Sequence, residues 1–385
     1  MIPARVPETE FVDLMAAADR VLAEDLAADR DYPPTARSVR DGFAVRAGNL
    51  PGRLEVIGEV RAGETYRGQV HPGQAVEIMT GAPLPDGADQ VIMVEHVKRE
   101  GSHITANVPP HPGDNVSAQG IEAAAGQRVL CAGQRLGFAQ IAQLAAVGVI
   151  KVPVFIRPRV AILATGDEVV PVDTTPRANQ VRNSNAYSLA VQVQRAGGIP
   201  VMLQTAHDTA ESTRAMMRQG LEADLLLISG GVSAGKYDLV ETILTEFEAK
   251  FFFTRVKVQP GQPLVFGRCV NGDGAERFFF GLPGNPSSTM VTFELFARAA
   301  IEVLSGELTP MLPLLTAALT AAITQKSGLT RVLPAMLSPD GAAVTPIHWK
   351  GSGDVPSLAR ANCFTVSDPG RETYAAGDFI RVMRQ

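Results

Sequence analysis

Cysteine is scarce in this chain. Of 385 residues only three are cysteines, Cys131, Cys269 and Cys363, far apart and odd in number, with no CxxC pair and no cysteine/histidine cluster. That excludes a disulfide framework and a clustered zinc site, and leaves free thiols suited to a reducing compartment. Histidine is equally thin: the six, at 71, 96, 103, 111, 207 and 348, show no HExxH or other ligand spacing. No Ser/His/Asp or Cys/His arrangement can be singled out. Positive charge is in deficit too, since 35 Lys and Arg against 40 Asp and Glu leave a net −5. No basic excess is present to neutralise a nucleic-acid backbone or an anionic membrane, so neither is expected as a partner. No apolar run approaches the length of a membrane span, and Met1 to Pro7 carries no charged-then-apolar signal pattern. A soluble, cytoplasmic protein is expected.

What the chain does have is length and turns. Its 36 glycines and 27 prolines promise many functional loops, and 385 residues suggest two or three domains at the usual domain size. Phe11, Leu14, Met15, Ala18, Val21, Leu22 and Leu26 recur at three- and four-residue steps, which predicts a helix. After Tyr32-Pro33-Pro34 the pattern changes to short apolar runs between turn signals (54–60, 75–79, 90–94, 104–108), which predict a β-rich segment. Helical spacing resumes over Leu136 to Val147, so the β segment reads as an insertion in a helical domain. From Arg159 strands and helices alternate: strands at 160–163, 200–203, 224–228 and 278–280, helices after Asn183-Ser184-Asn185 and at 211–221, 239–247 and 287–304. That rhythm predicts a parallel sheet covered on both faces. The last 75 or so residues read as short strands without helices, a small β domain.

Three polar, glycine-rich loops follow three of the predicted strands: Thr165-Gly166-Asp167-Glu168, Ser229 to Gly235, and Leu282-Pro283-Gly284-Asn285-Pro286. All three are expected on one edge of the sheet, where glycines let backbone N–H groups approach an anion and helix N-termini add positive dipole. A phosphate-bearing ligand follows. Gly230 to Lys236 nearly spells a P-loop, but Tyr237 cannot replace the hydroxyl that coordinates magnesium there, and Gly351-Ser352-Gly353 lacks the context of a dinucleotide fingerprint. Asp167, Glu168, Asp208 and Asp238 bring carboxylates beside the expected phosphate pocket, and carboxylates repel phosphate unless a cation such as magnesium bridges them.

Seven segments, read together, resemble the molybdopterin molybdenumtransferase family, which includes MoeA and the E domain of gephyrin. They are Ser38 to Val45 (SVRDGFAV), Met79 to Pro83 (MTGAP), Ala164 to Glu168 (ATGDE), Arg182 to Asn185 (RNSN), Ser229 to Ser233 (SGGVS), Gly281 to Pro286 (GLPGNP) and Ser357 to Asn362 (SLARAN). The resemblance implies a multidomain α/β plus β fold: a helical domain (1–30 and 127–152), an inserted β-rich domain (31–126), a MogA-like three-layer α/β domain (153–307) and a C-terminal β domain (308–385). It implies a homodimer whose site lies between the α/β domain of one subunit and the insertion of the other. The implied reaction inserts molybdate into adenylylated molybdopterin, with Mg2+-dependent release of AMP. A molybdopterin adenylyltransferase would act upstream and molybdoenzyme maturation factors downstream.

Carried over by position, the resemblance assigns catalytic roles to Asp41, Thr80, Glu122, Asp208 and Asp238, and metal binding to Glu168, Asp208 and Asp238. It assigns the pterin phosphate to Thr165, Gly166, Ser229, Gly230, Gly231, Ser233, Pro283, Gly284 and Asn285, while Gly42 and Gly81 are expected only to turn the chain. The chain departs from the family at three places. Gly120-Ile121-Glu122 ends in glutamate where the family has aspartate. Ser117-Ala118-Gln119 replaces a basic run. Gln259 and Gln262 stand where the family has lysines in Lys-Pro-Gly-Lys-Pro, although Arg255 and Lys257 lie just upstream. A weak hold on the oxyanion is therefore expected. A molybdopterin-binding scaffold paralogue and a tungstate-specific transferase are the alternatives.

Overall fold

The computed structural model of the protein describes residues 7–231, 239–270, 274–326 and 328–385. Its centre is a six-stranded sheet in the order Ile199–Met202, Arg159–Ala164, Leu225–Ser229, Glu276–Leu282, Val265–Val270, Lys250–Phe253. The first four strands run parallel. The last two are antiparallel additions, which the alternation of strands and helices did not disclose because they form a hairpin edge with no crossover helix.

Leu225 to Ile228 shows why this layer is buried on both sides. Leu225 and Leu227 face one core with Val160, Ile162, Phe278 and Phe280, under the Ser184–Arg195 helix and the helix that begins at Pro286. Leu226 and Ile228 face the other, with Ala161, Leu163 and Phe279, under Ala210–Gly220 and Leu239–Glu246. Strands sandwiched between helical layers need apolar residues on both faces, hence the continuous Leu/Ile/Phe runs. Asn183 and Thr209 cap two of these helices, their side chains accepting from the backbone N–H of Ala186 (3.1 Å) and Ser212 (3.3 Å). The helix expected over 287–304 forms as Pro286–Thr292, a wide π turn at Phe293–Ala297, and Arg298–Leu304.

The predicted first helix is absent. Thr9–Asp13 is a strand paired antiparallel with Lys151–Phe155, Leu14–Ala17 is a single 3-10 turn, and Val21 and Leu22 make isolated bridges to Arg135 and Val154. Asp19 adopts a left-handed φ of 61°, which breaks any helix there. The three- and four-residue spacing misled because Phe11 and Met15, 66% and 79% exposed, belong to the outer surface, whereas Val12, Ala17 and Leu22 pack inward. Long-range pairing outweighed local periodicity. Among its described residues the expected helical domain accordingly holds one α-helix, Phe138–Ala146, and its two chain segments are joined by strands.

Residues 31–126 contain a six-stranded sheet in which Gly42–Val45 is the second strand, between the edge strand Gln90–Met93 and Gln74–Ile78. Phe43, Leu54, Ile92 and Ile104 fill one core, and Ala44, Val60, Ile78 and Val91 the other. The C-terminal strands close on themselves, since Thr330–Leu337 pairs with both Ala343–Pro346 and Cys363–Val366 in a small barrel. One short helix, Val355–Arg360, interrupts the expected all-strand segment, with Asp354 accepting from Ser357 N–H at 3.1 Å as its cap. Val258 and Val291 pack against Val332, Leu358 and Phe364, which seats the barrel on the long helix. Cys269 and Cys363 are buried, and burial pushes their thiols up to about 12 and about 11.

Gly42 is not a turn residue. It lies within a strand, and a Cβ there would sit 1.9 Å from the Ile92 carbonyl oxygen. Gly81, with φ 82°, does turn the chain. Gly42→Ala is therefore expected to cost about 1–3 kcal/mol. Hydrogen exchange should accelerate selectively in Gly42–Val45 and Gln90–Met93, and unchanged protection there would contradict the packing argument.

Candidate active site

The three glycine-rich loops meet at the carboxyl ends of the parallel strands and line a cavity of about 830 Å³. Thr165, Gly166, Glu168, Asp208, Ser229, Gly230, Gly231, Pro283, Gly284 and Asn285 all face it. Ser233 and Asp238 lie outside the described residues.

Backbone bonds tie the strand ends together. Thr165 N–H donates to the Ser229 carbonyl at 3.1 Å, and Gly230 N–H donates to the Leu282 carbonyl at 3.1 Å. The approach is close enough to require glycine. Gly230 has φ 97°, and a Cβ there would lie 3.0 Å from Thr165 Oγ1; Gly231 has φ 67°, and a Cβ would lie 2.6 Å from Val240 Cγ2. At Gly166 a Cβ would strike the Glu168 carboxylate at 2.4 Å, so the missing side chain is what lets that carboxylate fold over its own loop.

Asn185 belongs to the Arg182-Asn183-Ser184-Asn185 motif, which by itself gives this residue no role at the site. Its Nδ2 donates to Ser229 Oγ and to the Gly284 carbonyl, both at 2.8 Å, joining two loops from the helix above them. Of the two asparagines in Arg182-Asn183-Ser184-Asn185, one caps the helix and the second is spare. That is the signal that could have found it. Arg182, Pro263, Gly353 and Val355 also line the cavity, the last two from the C-terminal domain. The Gly351-Ser352-Gly353 loop, which lacks the context of a dinucleotide fingerprint, instead crosses between domains: Ser287 N–H donates to the Ser352 carbonyl at 2.9 Å.

The three loop acids among the described residues divide. Asp167 turns to His207 Nδ1 at 2.9 Å, and it exchanges backbone contacts of 3.3 Å with Asp208. His207, then the Asp208 N–H, holds the Asp167 carboxyl below its ordinary range. Glu168 and Asp208 remain at the cavity. Among the described residues no cluster of three or more acidic, histidine or cysteine side chains could hold a metal unaided.

The insertion brings together a second pair. Asp41 Oδ1 accepts from the Thr80 N–H at 2.6 Å and from its hydroxyl at 2.8 Å, both residues being exposed. Glu122 is engaged separately in an ion pair with Arg37, and Gln119 bonds Asp31 at 2.7 Å. No described residue of 31–126 lines the cavity, so one chain keeps the two groups apart.

A three-layer α/β domain with glycine loops and carboxylates at its strand ends, carried between an inserted β domain and a C-terminal barrel, is the class this architecture defines. Residues 1–148 match the MoeA N-terminal region (domain I and II), 161–303 the "probable molybdopterin binding domain", and 316–384 the MoeA C-terminal region (domain IV). The chain is 34% identical to the molybdopterin molybdenumtransferase of Bacillus subtilis (strain 168), over 98% of this chain and 90% of that one. It is 36% identical to that of Nostoc sp. (strain PCC 7120), over 78% and 70%. A crystal structure of the molybdopterin biosynthesis MoeA protein from Pyrococcus horikoshii OT3 superposes with a TM-score of 0.81 at 29% identity, covering 98% of this chain and 95% of that one. The chain belongs to the molybdopterin molybdenumtransferase family, transferases of molybdenum cofactor biosynthesis. Among the described residues no helix is long and apolar enough to cross a membrane.

The Thr80 N–H, then its hydroxyl, lowers the Asp41 pKa. The sign is that of a depressed carboxyl: its contribution is complete above the ordinary aspartate range and is lost as pH falls through the lowered value. Thr80→Ala keeps the N–H bond and loses the hydroxyl, so the Asp41 midpoint should rise part of the way in a carbon-detected NMR titration. An unmoved midpoint would show that the hydroxyl contact is not made in solution.

Proposed function

We propose that this protein transfers molybdenum from molybdate to adenylylated molybdopterin and releases AMP. The observation that carries this reading is the convergence of three glycine loops and two carboxylates on one cavity at the ends of parallel strands. Gly230, Gly231 and Gly284 let backbone N–H groups approach a phosphate, and the N-terminus of Ser184–Arg195 adds its positive dipole. In the overall reaction the oxygen of a water adds to one phosphorus of the diphosphate as its bridging phosphorus–oxygen bond breaks, leaving AMP and the pterin monophosphate. The two thiolates of the dithiolene bond to molybdenum, and one molybdate oxygen departs as water.

The donor set fits magnesium shared with a ligand. Two carboxylates, Glu168 and Asp208, face the cavity, and magnesium typically takes one or two carboxylates and completes its shell with phosphate oxygens and water. Glu168 and Asp208 would hold the ion, which would neutralise phosphate charge at the breaking bond. Asp167, tied to His207, holds the loop that carries them. Asn185 keeps Ser229 and Gly284 at fixed separation, so the phosphate meets loops that are already in place.

Asp41 and Thr80 act from the partner subunit of a homodimer, which accounts for their separation from the cavity within one chain. Asp41 accepts both Thr80 bonds through one oxygen, which leaves Oδ2 free to act as a base or to orient water. We place the enzyme in the cytoplasm, the reducing compartment that its three unpaired thiols suit, between an adenylyltransferase that supplies its substrate and factors that load the finished cofactor.

Incubation with adenylylated molybdopterin, magnesium and molybdate should yield AMP and active cofactor together. AMP alone would mean uncoupled hydrolysis, and neither product would favour a scaffold. Replacing molybdate by tungstate tests the oxyanion. Glu168→Gln and Asp208→Asn are each expected to lower AMP release at limiting magnesium by about tenfold or more. Mixed dimers of Asp41→Ala with Asp208→Ala chains should regain about a quarter to a half of wild-type activity, because one of two composite sites is intact. No recovery despite subunit exchange would overturn the shared site.

A further inference from the structure

At the junction between the α/β domain and the segments that carry the insertion, three arginines face one small crevice. Arg20 and Arg135 enter it from the insertion-bearing side, Gly197 and Ser305 from the α/β side, and Arg157 from the link between the strands Lys151–Phe155 and Arg159–Ala164. Two of the three are compensated. Arg20, 8% exposed, donates through Nη2 to the Phe155 carbonyl at 2.8 Å and to Glu10 at 2.5 Å. Arg135 binds Glu307 through Nε (3.2 Å) and Nη2 (2.8 Å), and its Nη1 donates to the Asp19 carbonyl at 2.9 Å. Gly197, with φ 94°, makes room for that guanidinium, since a Cβ there would lie 3.2 Å from Nη1. Arg157 has no such partner. Its Nε is buried without a hydrogen bond, and among the described residues no carboxylate forms an ion pair with it.

Burial, then the charge of Arg20, pushes the Arg157 pKa down, yet a guanidinium stays protonated in a protein. Its charge is therefore held at a cost that no protein group at the crevice offsets. Asp19 faces the crevice as well, but it is exposed and its carboxylate bonds to none of the three arginines, so water and salt screen it. The crevice measures about 10 Å³, the space of roughly one water-sized sphere. Phosphate, sulfate and molybdate are too large for it. A water would fit, but it needs acceptors for its own hydrogens, and guanidinium groups are donors only. A monatomic anion accepts from every one of them.

We propose that Arg157, with Arg20 and Arg135, binds one chloride-sized anion at this junction. The ion offsets the Arg157 charge and links the strand connection to groups on both sides, which stiffens the mount that holds residues 31–126 relative to the α/β domain. The crevice shares no lining residue with the cavity at the strand ends, so the site stands independently of the transfer reading above.

The test uses the full-length chain and follows thermal unfolding while sodium chloride replaces sodium gluconate at constant ionic strength. The wild-type melting temperature should rise by about 2 °C or more with chloride, because an ion that binds only the folded state stabilises it. Arg157→Gln should lose most of that response. Lys98→Gln, which removes an exposed cation of the insertion, should keep it. Sulfate should not substitute for chloride once the response of Arg157→Gln is subtracted, and an equal effect of sulfate would refute the size argument and the proposal with it. Crystals of the wild type grown in sodium bromide should show an anomalous peak in contact with the Arg157 guanidinium. Should Arg157→Gln fail to fold, Arg157→Lys carries the solution test: it keeps the charge but loses the planar fork, and should lower the chloride shift by about half or more. A shift undiminished in Arg157→Lys, a wild-type melting temperature that follows ionic strength alone, or a crevice without bromide overturns the assignment.

Discussion

Three strand ends converge, and at Gly230 and Gly231 they leave no room for a side chain; the rest of the site depends on that approach. Gly230 passes over Thr165, Gly284 comes within contact of Gly230, and Gly231 lies against Val240. Removing Cβ atoms exposes backbone N–H groups to a ligand, but it also removes the packing that would hold the loops in place. The structure supplies the missing rigidity from outside. Asn185 joins two loops from the helix above, and the backbone bonds of Thr165 and Gly230 fasten each loop to the next strand.

Charge is distributed in accordance with this frame. Acids on the parallel-strand loops divide into one that is tied down, Asp167, and two that face the cavity, Glu168 and Asp208. On the barrel side the segment that ends at Pro263 carries two neutral glutamines, Gln259 and Gln262, and Gln259 lies opposite Arg331 in the ladder. A net charge of −5 tells nothing of this arrangement. What matters for two anionic ligands is where single carboxylates and guanidiniums stand and how much water surrounds them.

The long helix and the barrel show how the domains constrain one another. The π turn at Phe293–Ala297 lies where one helix must serve two cores: Phe293 and Ala297 pack on the central sheet, while Leu295 and Phe296 reach the barrel. An extra residue in one turn re-aims the faces that follow it, and such turns are frequent near functional sites. Ser287, the second residue of the same helix, bonds the barrel loop that lines the cavity.

Much was legible from residues alone because it is local. The alternation of strands and helices, the insertion's short strands, and the three glycine loops all follow from side-chain periodicity and backbone freedom, which act over a few residues. Ten of the predicted site residues line one cavity for that reason, since loops after parallel strands must emerge on the same edge. Tertiary structure alone decided what depends on distant partners. The 9–26 segment became strand and bridges because Lys151–Phe155 offered a pairing edge stronger than its helical spacing. The two antiparallel edge strands, the bonds of Asn185 to Ser229 and Gly284, and the register of Gln259 with Arg331 likewise join residues far apart in the chain. Periodicity cannot encode such pairings, because each is settled by which surfaces meet once the local elements have formed.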